Sequence, residues 1–162
     1  MSEQFNKGKQ LIVAIILGIL SYWLFAQSFL NIAPHVQRFY HVDMSIVNIA
    51  VSLTSLLTGV FIVVAGGLSD KIGRVKITNA GLILSILGSI ALIISHAPIL
   101  LLLGRVLQGL SAACLLPATI ALINSFFQGE ERQKVLSYWS FGSYGLSLIH
   151  ISEPTETPEH LV

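Results

Sequence analysis

The sequence predicts an all-α protein, a polytopic membrane helix bundle of four complete transmembrane helices and a truncated fifth. Composition is the first ground: of 162 residues, 54% are hydrophobic and 10% charged, whereas a soluble domain carries roughly 25% charged residues. The mean hydropathy of +0.79 agrees. The second ground is where the charges fall. No Asp, Glu, Lys or Arg lies between Lys9 and Arg38, Asp43 and Asp70, Lys76 and Arg105, or Arg105 and Glu130. Each gap holds a helix of about 20 residues, the length that crosses a hydrocarbon core about 30 Å thick.

Helix one is expected over residues 11–30. It follows Lys7 and Lys9 as a secretory signal does, but it exceeds an h-region of roughly 7 to 15 residues and has no clear small-x-small cleavage site after it, so it reads as an uncleaved span. Helix two is placed over residues 44–64 and helix three over residues 77–94. The turn SHAP, residues 95–98, leads into helix four over residues 98–127. Pro98 suits the first turn there, because its missing N–H would have no helical partner. Gly81, Ser85 and Ser89 in helix three, and Gly109 and Ala113 in helix four, repeat at four-residue spacing, which lets neighbouring helices approach closely. Cys114 has no second cysteine to pair with and reads as a small packing residue. Pro117 removes one backbone hydrogen bond inside helix four; the bend either shapes a pathway or is an inert kink. A fifth helix opens near residue 135.

Basic residues set the orientation. Lys7 and Lys9 precede helix one, Lys71, Arg74 and Lys76 lie between helices two and three, and Arg132 and Lys134 follow helix four, while the opposite side has only Arg38. The positive-inside rule therefore puts the N-terminus and the loop between helices two and three in the cytoplasm; the expected location is the plasma membrane, as a multi-pass protein in contact with membrane lipid. The basic balance implies nothing about nucleic acid.

Two stretches carry chemical information. The first is GGLSDKIGRVK, residues 66–76. Its glycines allow a tight turn, and Asp70, Lys71 and Arg74 put opposite charges at the membrane edge, where they can pair with each other or with a neighbouring helix end. Charge alone leaves a solvated turn equally open. The residue order, with Gly66, Leu68, Asp70, Lys71, Gly73 and Arg74, resembles the loop signature that follows helix two in the major facilitator superfamily, although Val75 stands where a second adjacent base is usual. The resemblance implies a conformational latch between the two halves of a transporter. Asp70 would face the N-terminal end of a helix in the second half, whose partial positive charge stabilises an acid, and Arg74 would join a charge cluster holding one access state.

The second stretch is GRVLQGLSAACLLPA, residues 104–118. Arg105 stands seven residues after Pro98, hence about 10 Å below the outer surface at a rise of about 1.5 Å per residue. A charge at that depth costs a few kcal/mol and normally faces the bundle interior or a wet cavity; snorkelling to the outer interface with a structural role is the other reading. Arg105, Gln108 and Gly109 in the order Arg-x-x-Gln-Gly resemble the helix-four signature of the same superfamily, where the arginine is implicated in proton coupling or in arranging the substrate cavity.

Depth matching across antiparallel helices puts Tyr22 about 17 Å and Gln27 about 24 Å along helix one, within reach of a long arginine side chain. Gln27 is the preferred partner, through its carbonyl oxygen. Asn48, Ser52, Thr54, Ser55 and Thr58 make helix two more polar than a lipid-facing helix needs; they either line a cavity or satisfy themselves on the preceding turn. Helices one to four contain no buried carboxylate, although proton relays commonly use one. The run FLNIAP, residues 29–34, resembles a segment of proton-coupled drug exporters of the fourteen-helix branch, which often carry an acid nearby; here the neighbourhood reads Phe25, Ala26, Gln27, Ser28.

Helix five opens as VLSYWSFGSYG, residues 135–145, and Gly142 and Gly145 look like the start of the glycine-rich run found in exporters of this superfamily. The chain then reads LSLIHISEPT, residues 146–155, which resembles the conceptual translation of a transposase-type sequencing adapter. Residues 146–162 are accordingly expected to be a non-native read-through tail. Leaving out Glu153, Glu156 and Glu159 takes the acids from eight to five against nine Lys and Arg, a net of +4.

The expected function is therefore that of a fragment of a secondary active transporter with a partial major facilitator fold, an exporter of multiple drugs or amphipathic solutes working by alternating access. Less than one six-helix half is present, so transport by this chain alone is not expected. An inactive orphan fragment, a small oligomerising membrane protein, and a transporter of a sugar, polyol or metabolite remain the alternatives. No paired carboxylates, nucleophile constellation, metal spacing or phosphate loop suggests an enzyme. No cofactor or metal is expected, proton coupling stays open, and the implied partners are a small-molecule substrate in the full-length protein and the missing C-terminal helices.

Overall fold

The computed structural model describes residues 12–20, 24, 29, 32–95 and 97–151, the last ten of these as backbone only. Among the described residues the elements are all helical. Helix α1 covers residues 12–20, with residues 24 and 29 also helical. It is followed by α2 (Ala33–Tyr40), α3 (Met44–Ile72), α4 (Arg74–Ile93), α5 (Pro98–Phe126) and α6 (Gly129–Ile151). Helices α3, α4 and α5 are long and apolar enough to cross a membrane.

Local chemistry sets each helix end. Asp43 caps α3: its carboxylate accepts from the Ser45 N–H at 2.9 Å and from the Ser45 hydroxyl at 2.7 Å. These bonds favour the charged form and hold the Asp43 pKa below its ordinary value. Helix α3 stops at Gly73, whose φ of +115° suits a residue without a Cβ. The Gly73 N–H still donates to the Ser69 carbonyl at 3.0 Å, and the Gly73 carbonyl accepts from the Ile77 N–H at 3.2 Å. Ala97 is extended and Pro98 begins α5, as expected from SHAP. The Tyr40 hydroxyl donates to the Ser95 carbonyl at 3.0 Å, pinning α2 to that turn.

Several boundaries differ from the sequence expectation. The expected loop at residues 66–76 is helical except for Gly73, so helix two runs to Ile72 rather than residue 64 and helix three begins at Arg74 rather than residue 77. Hydropathy marks where a span leaves lipid, whereas backbone hydrogen bonds carry the helix on through charged residues. The 29 residues of α3 extend about 43 Å, so its final turns stand beyond the hydrocarbon core. Likewise α6 begins at Gly129, six residues before the expected start, with Glu130 and Glu131 in a first turn that favours acids. Helix α2 was not expected. It is an amphipathic eight-residue segment with Val36 buried and His35, Arg38 and Phe39 exposed, too short and polar to read as a span.

Helix α5 is the centre of the bundle, with α3 and α4 packed along it. An apolar cluster lies at each of its ends. Ile15, Ile19, Leu122, Ile123, Phe127 and Val135 join α1, α5 and α6 at one; at the other, Phe29 packs with Val36 of α2, Val47 and Ala50 of α3 and Leu101 of α5. Between them α5 presents small or polar residues to its neighbours, including Gly109, Ser111, Ala112 and Ala113. The Ser111 hydroxyl donates to the Gly81 carbonyl of α4 at 2.7 Å. Val63, Ile83, Ile86, Ile90 and Leu103 point outward, as residues facing lipid tails do.

Candidate functional site

The Arg105 layer is built on the face of α3 that carries Ala50, Thr54 and Thr58 at one-turn intervals. The Thr54 hydroxyl lies 3.2 Å from the Arg105 carbonyl and 3.4 Å from the Ala50 carbonyl. One turn on, the Thr58 hydroxyl lies 3.1 Å from the Gly109 carbonyl and 2.8 Å from the Thr54 carbonyl. Two threonines thus stitch α3 to α5. Gly109 makes the approach possible, because a Cβ there would stand 2.7 Å from the Thr54 carbonyl oxygen. Asn48, Ser52 and Ser55, the other polar residues of this helix, are exposed and outside the layer.

Arg105 itself is 2% exposed. Its Nη1 donates to Gln108 Oε1 at 2.7 Å and its Nε to the Ala50 carbonyl at 3.4 Å. The guanidinium carbon sits 4.2 Å from the centre of the Phe29 ring, a cation–π contact that gains strength when desolvated. At this low exposure, with its guanidinium held by Phe29, the Ala50 carbonyl and Gln108, the side chain is enclosed in the bundle and does not snorkel to the outer surface. An arginine holds its proton at any physiological pH. The layer thus presents a positive charge with oriented donors, able to hold an acceptor or an anion.

The sequence reading found Arg105, Gln108 and Gly109 by their spacing, and the structure joins them in this layer. It did not find Phe29 or the Ala50 carbonyl. Phe29 offers no hydrogen-bonding side chain, and what suits it to a cation is the electron-rich face of its ring. Tyr22 and Gln27 lie outside the described residues.

The second stretch divides its residues among different surroundings. Arg74 Nη2 pairs with Asp70 Oδ1 at 3.5 Å across the Gly73 break. An exposed pair four residues apart contributes about 0.5 kcal/mol. Arg74 Nη1 donates to the Ala121 carbonyl at 3.0 Å and to the Ser125 hydroxyl, and that hydroxyl donates to the Ala121 carbonyl at 2.7 Å. A cation is thereby seated near the negative end of α5. Asp70 keeps 67% of its side chain exposed, Leu68 and Lys71 are exposed, and Ser69 is buried. Gly66 faces Pro117 at ordinary contact distance. A cleft of about 460 Å³ opens here, with Ser69, Asp70, Arg74, Lys76 and Ser125 in its lining.

Residues 11–149 match the Major Facilitator Superfamily. The chain is also 52% identical over 143 residues to Quinolone resistance protein NorB of Staphylococcus aureus, in strains JH9, Newman and COL. That alignment covers 88% of this chain and 31% of each relative, so the chain spans about a third of the length of the curated relatives it matches. A match over most of the chain, together with long apolar helices packed about a buried arginine, makes this a multi-pass membrane protein that belongs to the Major Facilitator Superfamily.

Proposed function

We propose that the chain is the N-terminal part of a secondary active exporter of amphipathic compounds, quinolones among them, that works by alternating access. The observation that carries this reading is the 52% identity to the quinolone resistance proteins, and the buried donor layer around Arg105 supports it. In this reading α1 and α6 cross the plasma membrane alongside α3, α4 and α5, giving four complete spans and the beginning of a fifth, with the N-terminus in the cytoplasm.

Residues 146–162 are foreign to the transporter in this proposal, and the helices needed to complete two six-helix halves belong to the longer protein. Those helices and membrane lipid are its partners. Gly66, Leu68, Asp70, Lys71, Gly73 and Arg74 form the latch segment, with Asp70 left exposed for the second half and Arg74 spent on α5. Arg105, Gln108 and Gly109, with Gln27 and Tyr22, organise the cavity. Any proton coupling draws on a carboxylate in the helices of the longer protein, because helices one to four as read from the sequence bury none.

The test is efflux. The full-length transporter carrying this segment, expressed in cells lacking other quinolone pumps, is expected to lower the steady-state accumulation of norfloxacin, and collapse of the membrane gradients is expected to restore it. Unchanged accumulation, with the protein present in the membrane, sinks the proposal.

A further inference from the structure

A cavity of about 520 Å³ opens among α2, α4 and α5, next to the Arg105 layer. Phe29, Phe39, Leu92 and Leu101 supply apolar walls, His35 contributes from α2, and Gln108 from α5. From Pro98 at the start of α5, Gln108 lies about 15 Å deep at the helical rise. The volume falls within the range of about 300 to 1,000 Å³ typical of sites for drug-sized molecules.

Gln108 is the informative residue. It is 4% exposed, and the only hydrogen bond its side chain makes among the described residues is the one accepted from Arg105. An arginine side chain only donates, so the amide oxygen of Gln108 must face it, and the amide nitrogen is left without an acceptor. A donor facing a largely apolar cavity is costly to leave unpaired. The Arg105 charge on the amide oxygen also polarises the N–H bonds, making them better donors. Ser89, by contrast, already spends its hydroxyl on the Ser85 carbonyl at 2.8 Å.

We propose that this cavity binds a small molecule with a flat apolar body and a carbonyl or carboxylate group, the latter accepting from Gln108 Nε2. This rests on the exporter reading and assigns it a recognition site on the outer side. A lipid tail would fill the walls but bring no acceptor to Gln108, which the apolar volume alone would not decide.

Equilibrium binding of norfloxacin, an aromatic carboxylate, to the purified full-length transporter in nanodiscs tests the proposal without any gradient. Gln108→Glu keeps an acceptor for Arg105 and replaces the free amide donor with a second carboxylate oxygen, so affinity is expected to fall at least about tenfold. Phe39→Ala, at an exposed lining position on α2, is expected to weaken binding about threefold or more. Wild-type affinity in both variants, no binding by the wild-type protein, or a co-purifying phospholipid that norfloxacin does not displace would overturn the site. Export measured in cells separates the two ideas: gradient-dependent export with unaltered binding in both variants removes the cavity alone, whereas binding without export in any strain removes the exporter reading.

Discussion

Arg105 and Gln108 stand three residues apart on α5, so that they share a helix face, and their 2.7 Å hydrogen bond is the local consequence of that spacing. That pair was legible in the sequence. The cation–π partner Phe29 and the carbonyl of Ala50 come from other helices, and no spacing within one segment announces them. If the Gln108 oxygen stabilises the buried charge, Gln108→Leu is expected to cost about 2 kcal/mol, within the range for a hydrogen bond to a charged group. Thermal unfolding of the full-length protein in detergent would read this as a lowered midpoint; an unchanged midpoint would mean that Arg105 finds another acceptor.

The long helices were legible because apolar runs between charges have the length of a bilayer, whereas their ends were not. Charged residues stop a hydropathy reading but do not stop backbone hydrogen bonding, so residues 66–72 continue α3, and only Gly73 breaks the path into α4. Small-residue repeats pointed to close helix contacts without saying which neighbour each would meet. The structure pairs Gly109 with Thr54 on α3 and Gly81 with Ser111 and Leu115 on α5. Gly109→Ala would force its Cβ to within 2.7 Å of a backbone oxygen, and overpacking of this kind costs about 1 to 3 kcal/mol. Gly67→Ala meets nothing within 4 Å and is expected to leave stability unchanged or slightly raised through helix propensity. Paired melting curves for the two variants check the α3–α5 contact, and equal effects would contradict it.

Across the whole molecule, two short signatures suffice to suggest the superfamily, because each couples unusual residue types to a position in the helix order. The central place of α5 was less legible: its hydropathy resembles that of α3, and only packing reveals that it is enclosed. Asp70 keeps its carboxylate exposed while the Arg74 guanidinium is tethered to α5. Asp70→Asn in the full-length transporter is expected to shift the ratio of inward to outward accessibility in cysteine labelling, and an unchanged ratio would count against a latch. Sequencing the source locus past the Gly145 codon, without transposase adapters, is expected to show a glycine-rich continuation of the fifth helix; recovery of the same codons through Val162 would refute the foreign-tail proposal. Whether the buried arginine serves the transport cycle is tested by norfloxacin efflux from cells carrying full-length Arg105→Ala, with membrane abundance measured in the same cells. Efflux is expected to fall at least about tenfold, consistent with losing a few kcal/mol of oriented charge, while abundance stays near wild type. Efflux that persists at wild-type level, or that declines only in proportion to abundance, would contradict it.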